Sequence, residues 1–399
     1  MVGTSQAYDS AAGASRADAA MAGAVPGGVP GTCAAGGAVT GGAPATFVPA
    51  GAASAPRRSP AGVAQHNQLG AIGFAVGDEA LEHRIAATLA DIETALRAHV
   101  DSGDPLVAEA AAHLLAAGGK RFRPLLVALA ASVGRADAPG VVPAALVVEL
   151  THLATLYHDD VMDEATVRRG ASSANARWSN SLAILVGDFL FARAAEVAAS
   201  LGPEAVRIQA RTFSRLVHGQ IAETVGPRAD DPVAHYLHVV AEKTGSLIAT
   251  SARFGGMFGG LPAEQVAALE AYGETIGLAF QLSDDLLDIA SDSGESGKTP
   301  GTDLREGVPT LPVLYARAST DTDAAAVRLR VLLADGPITD DAALAEALGL
   351  LRESAALRRA RETVRGYADQ ARSQLAALPD GPARRALMAL CDVVADRTS

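Results

Sequence analysis

The chain carries one five-residue acidic pattern twice, and each copy interrupts an apolar stretch. The first is Asp159-Asp160-Val161-Met162-Asp163; the second is Asp284-Asp285-Leu286-Leu287-Asp288. The surrounding residues read as helix, and acids at i, i+1 and i+4 put the first and last on one helical face, a turn apart. Clustered carboxylates repel, so a cluster beside a core needs a compensating cation. Hard oxygen ligands suit Mg2+, which commonly completes its shell with substrate phosphates. Two such clusters on facing helices would bracket a diphosphate through shared ions. A single acidic run is more often a solvated helix face; a repeated one inside apolar helices is harder to explain that way.

Composition narrows the class. Of 399 residues, 49% are hydrophobic and 20% charged, enough for a large buried core. Aromatics are only 4%, so Ala, Leu and Val carry the apolar content, which favours helices. A net charge of -12 without basic blocks argues against a nucleic-acid partner. It leaves room for an anionic substrate, because bound metals invert the local field. Cys33 and Cys391 form no disulfide framework or zinc spacing, which fits a reducing, cytoplasmic setting. The N-terminus lacks a signal-peptide pattern and the C-terminus a lipidation box. The richest apolar stretch, Pro143 to Tyr157, is interrupted by Glu149 and His152 and is too short to span a bilayer.

Residues 1–70 are rich in Ala, Gly, Pro and Ser and poor in large side chains. Such a segment cannot bury enough surface to offset its ordering entropy, so it reads as a disordered extension. Residues 71–399 read as one helical domain. Leu81, Ile85, Leu89, Ile92 and Leu96 repeat at helical spacing, and helix follows helix from there. Pro139, Pro143, Pro203, Pro232 and Pro262 fall near helix starts, and Gly118-Gly119, Gly226 and Gly259-Gly260 near ends. No alternating strands or Asn-Gly hairpin stand out. The weakest stretch, 320–347, reads as a helical pair.

Basic and polar residues gather around the acids. His152 lies seven residues before Asp159, two turns away on the same stripe. It is a candidate phosphate donor, or a satisfied core histidine. Arg168-Arg169 follow Asp163 closely, and paired guanidinium forks suit phosphate oxygens, although a helix end also attracts cations. In Gly118-Gly119-Lys120-Arg121-Phe122-Arg123-Pro124, Lys120 and Arg123 are three apart and can share a face at a predicted helix start, where free N–H groups also draw anions. Lys243-Thr244-Gly245 sits in a helical run, where Gly245 marks a kink or a close approach. Gln281 precedes the second acids by one turn, and a polar, Gly-rich loop with Lys298 follows them.

Together these stretches resemble the all-trans isoprenyl diphosphate synthases, or polyprenyl synthetases. The resemblance covers about residues 77–395 and rests on GGKRFRP, HDDVMDEATVRRG, EKTGSL, FQLSDDLLD and GKTPGTD, in that order. It implies an all-α bundle around a deep central cavity and a homodimer. It implies that Asp159, Asp160, Asp163, Asp284 and Asp288 hold Mg2+ on an allylic diphosphate, with Asp285 acting less directly. Arg168, Lys243 and Lys298 would grip that diphosphate. Lys120, Arg123, His152 and Arg169 would hold isopentenyl diphosphate, and Thr244 and Gln281 would stabilise the cation. An apolar cavity would exclude water from that cation.

Product length turns on what stands before the first acids. One isoprene unit is about as long as a helical turn, roughly 5 Å. Ala154 and Thr155 lie one turn back from Asp159, and Leu150 and Thr151 a further turn. None is aromatic, which favours a long-chain product of the kind used for quinone side chains. The alternative is a short-chain product whose floor comes from Phe189, Phe191 or Phe213. A class I terpene cyclase would not need the Lys120, Arg123 and Arg169 set, and a non-catalytic partner subunit would not need every acid intact. A long-chain product is poorly soluble, so transient contact with a membrane surface is expected at release.

Overall fold

The computed structural model describes residues 76–228, 231–290, 300–334 and 336–397. The N-terminal extension, its boundary at residue 70, and Lys298 lie outside the described residues. The helices are α1 (Glu79–Val100), α2 (Pro105–Ala116), α3 (Phe122–Ala131), α4 (Val141–Met162), α5 (Ala174–Arg177), α6 (Asn180–Ser200), α7 (Pro203–Val225) and α8 (Pro232–Val240). A π-helical turn, Ala241–Gly245, then runs into α9 (Ser246–Phe258). There follow α10 (Ala263–Ala290), α11 (Thr302–Glu306), α12 (Leu311–Ala318), α13 (Ala324–Leu332), α14 (Asp341–Glu353), α15 (Ala355–Gln374) and α16 (Pro382–Asp396).

The first helix shows why the sequence folds this way. Asp78 caps α1 by accepting from the Leu81 N–H at 2.9 Å, worth about 1 kcal/mol. Leu81, Ile85, Leu89, Ile92 and Leu96 are all buried, each contributing roughly 1.5–3 kcal/mol. Tertiary burial, not the cap, therefore holds α1. Pro203 and Pro232 open α7 and α8, and Gly226 closes α7 with φ 78°. The stretch 320–347 does form a helical pair, α13 and the start of α14, capped by Asp323 and Asp340.

The two acid helices are α4 and α10. The α4 helix is longer than the apolar stretch suggested. Its 22 residues would suffice, by length and composition, to cross a bilayer, yet 67% of its most apolar stretch is buried in the bundle. It packs against α1, α3, α6 and α9, while α10 packs against α9 and α15. Glycine sets the approach of α10 to the π-helical turn. A Cβ on Gly277 would stand 2.9 Å from Gly245 Cα, and one on Gly245 would stand 3.0 Å from Leu278 Cδ1.

One element was not foreseen. Val167–Arg168 and Ala171–Ser172 pair as an antiparallel hairpin. Arg169 and Gly170 form its two-residue loop with φ of 53° and 76°, as a type I′ turn requires. Arg-Gly is a weaker sequence signal for that turn than Asn-Gly, and each strand is too short to alternate. The arginine pair thus sits on a hairpin, not on the end of α4.

Candidate active site

The first motif occupies the last turn of α4. Asp160 is fully buried and accepts from Arg168 Nε at 2.5 Å on Oδ1. Its Oδ2 is buried with no partner. Asp163 caps the helix and lies 3.9 Å from Arg168 Nη2. Burial pushes the Asp159 carboxyl up to about 6, partly offset by nearby Lys243. Burial raises Asp160 too, against Arg168. A buried acid with an orphaned oxygen and a raised pKa is short of positive charge, which is what a Mg2+ ion supplies. Among the described residues no three acid, histidine or cysteine side chains converge closely enough to cage an ion unaided. Carboxylate oxygens of this kind suit a hard cation such as Mg2+, which commonly completes its shell with phosphate oxygens.

The second motif, on α10, is engaged differently at each acid. Asp284 pairs with Arg397 at 3.0 Å. Asp288 accepts from the Thr302 and Asp303 N–H groups at 3.2 and 3.1 Å. Asp285 accepts from the Tyr236 hydroxyl and from Gln281 Nε2, the latter at 2.9 Å, and burial pushes its carboxyl up to about 6. Thr244 Oγ1 donates to Gln281 Oε1 at 3.1 Å, which brings these two predicted residues together. Sequence reasoning missed Tyr236 and Arg397. Neither lies in a motif, and Tyr236 is 49 residues from its acid.

Lys243 stands between the motifs. It lies on the π-helical turn, where an extra residue in the turn re-aims side chains. Its ammonium donates to Glu223 on α7. It lines two cavities, one of about 420 Å3 shared with Asp159 and one of about 300 Å3 shared with Gln281 and Asp285.

The basic group lies across α2, α3, α4 and the hairpin. Arg169 Nη1 donates to the Leu114 carbonyl at 3.1 Å and to the Gly118 carbonyl. Gly119 has φ 149°, a backbone conformation that favours glycine, and a Cβ there would stand 2.9 Å from the Arg121 and Arg169 guanidiniums. Arg121 is a structural clamp with φ 49°, paired with Glu93 at 3.0 Å and Glu149 at 3.3 Å. Burial lowers Arg123 to about 10, so it stays charged at neutral pH, and its buried Nε has no partner. Burial, then Arg123 and Arg169, push His152 well below its ordinary value. His152 is therefore neutral and offers an N–H, not a charge. Lys120 precedes α3 and is exposed, so it does not share a helical face with Arg123 as its spacing suggested.

Of the four chain-length residues, one borders a cavity and three are packed into the bundle. Thr155 lines the 420 Å3 cavity, with Phe191 and Phe213 opposite. Ala154, Leu150 and Thr151 are not among its lining residues, and all three are buried. Leu150 and Ala154, four apart, share a face of α4 turned into the core. Phe191 and Phe213 are in ring contact, with centroids 4.3 Å apart, and Phe189 instead lies under Arg193.

The chain is 52% identical over 327 residues to a nonaprenyl diphosphate synthase of Mycobacterium tuberculosis, spanning 82% of this chain and 97% of that relative. It superposes on a geranylgeranyl pyrophosphate synthase of Corynebacterium glutamicum, complexed with calcium and isoprenyl diphosphate. That match has a TM-score of 0.73 at 44% identity and covers 81% of this chain and 98% of the other. A decaprenyl diphosphate synthase from Rhodobacter capsulatus gives 0.72 at 36% identity, covering 80% and 99%. Residues 104–349, which hold both acid motifs and the basic hairpin between them, match the polyprenyl synthetase family, and the chain belongs to it.

Proposed function

We propose that the protein is a prenyltransferase that condenses isopentenyl diphosphate head-to-tail with an allylic diphosphate, giving a long-chain all-trans polyprenyl diphosphate. The observation that carries this reading is the opposition of two acid motifs around Lys243 with a separate basic group beside the first. One substrate diphosphate needs metal-binding acids, and the other needs cations alone. Asp159, Asp160, Asp163, Asp284 and Asp288 would hold Mg2+, which when bound supplies positive charge to a departing diphosphate.

The chain's own groups supply the rest. Arg168 and Lys243 lie beside Asp159 and contact the same anion. Arg123, Arg169 and neutral His152 orient the isopentenyl diphosphate at near-attack distance. Thr244 and Gln281 present oxygen dipoles to a developing allylic cation. The cavity at Thr155, lined mainly by apolar side chains, takes the growing tail. Proton loss after coupling needs no side-chain base, because released diphosphate accepts it.

Small Thr155 and the nonaprenyl relative support a long product, used for quinone side chains. The Phe191–Phe213 pair at the same cavity favours a second reading, a short-chain stop at fifteen or twenty carbons. The reading extends to a cytoplasmic homodimer that releases product at a membrane surface. Exposed Val206, Phe213, Val217, Ile221 and Val225 along α7 support such contacts. Incubation with Mg2+, labelled isopentenyl diphosphate and geranyl, farnesyl or geranylgeranyl diphosphate tests the proposal. Products beyond twenty carbons are expected; a stop at fifteen or twenty selects the second reading, and no incorporation refutes both.

A further inference from the structure

The second acid motif is backed by a residue that no motif contains. Tyr236, partly buried on α8, donates its phenolic O–H to Asp285 Oδ2. Asp285 Oδ1 accepts from Gln281 Nε2 at 2.9 Å, and Gln281 Oε1 accepts from Thr244 Oγ1 at 3.1 Å. All four residues line the 300 Å3 cavity beside Lys243. An ionised carboxylate only accepts hydrogen bonds, so it dictates which end of a neighbouring amide faces it. The NH2 end of Gln281 is therefore turned to Asp285 and the carbonyl oxygen to Thr244. Tyr236 occupies the other carboxylate oxygen and keeps Asp285 from swinging towards Asp284 and Asp288.

We propose that Tyr236 is a positioning residue for allylic ionisation, which acts through Asp285 to hold the Gln281 carbonyl towards the reacting carbon. This inference rests on the prenyl-transfer reading above. As the allylic C–O bond breaks, its electron pair leaves with the diphosphate and positive charge spreads over three carbons. A fixed carbonyl dipole opposes none of that charge, whereas a flipped amide would aim its N–H2 end at it. Without the Tyr236 hydroxyl, Asp285 keeps one side-chain donor and can rotate, and the amide loses its fixed sense. Tyr236 touches no reacting atom in this scheme and exchanges no proton.

The test compares wild type, Tyr236→Phe, Gln281→Ala and the double variant in steady-state condensation. It also follows hydrolysis of the allylic diphosphate with Mg2+ and no isopentenyl diphosphate, which reads ionisation directly. Tyr236→Phe is expected to lower kcat and that hydrolysis by the same factor, tenfold or more, with KM for isopentenyl diphosphate within twofold of wild type. In the Gln281→Ala background it is expected to cost nothing further, since the two act as one unit. Unchanged kcat, a loss confined to KM, or losses that multiply would overturn the proposal. If Tyr236→Phe fails to fold, Asp285→Asn replaces it: non-multiplying losses with Gln281→Ala sustain the inference and multiplying ones overturn it. Failure of the wild type to condense overturns the functional reading and this inference together; wild-type turnover with unaffected variants overturns this inference alone.

Discussion

Replacing Thr155 with phenylalanine tests where the growing chain goes. Thr155 lies four residues before Asp159, so it stands about 6 Å back along α4 from the first metal-binding acid. Helical side chains lean towards the N-terminus, so a phenyl ring there blocks the cavity from roughly 10 Å onward, or about two isoprene units at one helical turn each. Wild-type elongation gains about 0.8 kcal/mol for each CH2 it buries, or about 4 kcal/mol per five-carbon unit. A plug denies that gain to every unit beyond it. At about 1.4 kcal/mol per decade, release then outruns elongation by roughly three further orders of magnitude. The ring has space, because Thr155 borders a cavity of about 420 Å3. The substitution loses only the hydroxyl bond to the His152 carbonyl at 2.8 Å, worth about 1 kcal/mol or less. Radiolabelled products of Thr155→Phe, dephosphorylated and sized by chromatography, should collapse to about fifteen carbons while thermal stability stays near wild type. An unchanged product ladder at an unchanged rate would refute a tail path through this cavity, and the floor would have to be sought elsewhere.

Three more perturbations follow. Burial raises Asp159 to about 6 from an unfolded value of 3.8. In metal-free protein the stability this acid contributes is therefore full below pH 3.8 and lost as pH climbs through 6. Mg2+ must find it ionised, so metal affinity by calorimetry should fall up to tenfold per pH unit below 6; affinity flat from pH 5 to 8 would count against Asp159 as a ligand. Asp160→Asn removes the charge on the fully buried acid held by Arg168. Turnover should drop at least a hundredfold with little loss of melting temperature, and retained turnover would remove Asp160 from the metal set. Gly245→Ala puts a methyl 3.0 Å from Leu278 Cδ1, where the π-helical turn approaches α10. It should cost about 1–3 kcal/mol in denaturant titrations and lower kcat by shifting Lys243 and Thr244; wild-type stability would mean the helices have slack there.

What the sequence made legible is what contiguous residues determine. The helices over 79–100 and 324–353 follow from apolar spacing and Asp caps that sit next to the segments they cap. The acids, Arg123, His152, Lys243, Thr244 and Gln281 were visible because their chemistry is packed into short runs. Two readings turned on side-chain direction within one local element, and the omissions on partners supplied from far along the chain. Lys120 and Arg123 looked like a pair by spacing, but the left-handed Arg121 between them caps a helix that starts at Phe122, two residues after Lys120. Ala154 and Thr155 looked equivalent beside the tail, yet 100° of helical rotation sends one to the core and the other to the cavity. Tyr236 and Arg397 were invisible because their acids lie 49 and 113 residues away. Charge patterns in a sequence thus reveal which groups must find counter-ions, while the tertiary fold decides which find one within the protein. Asp160 Oδ2 and Arg123 Nε are left without a hydrogen-bond partner, one on an acid and one on a cation, on the two sides where a metal and a diphosphate would meet them.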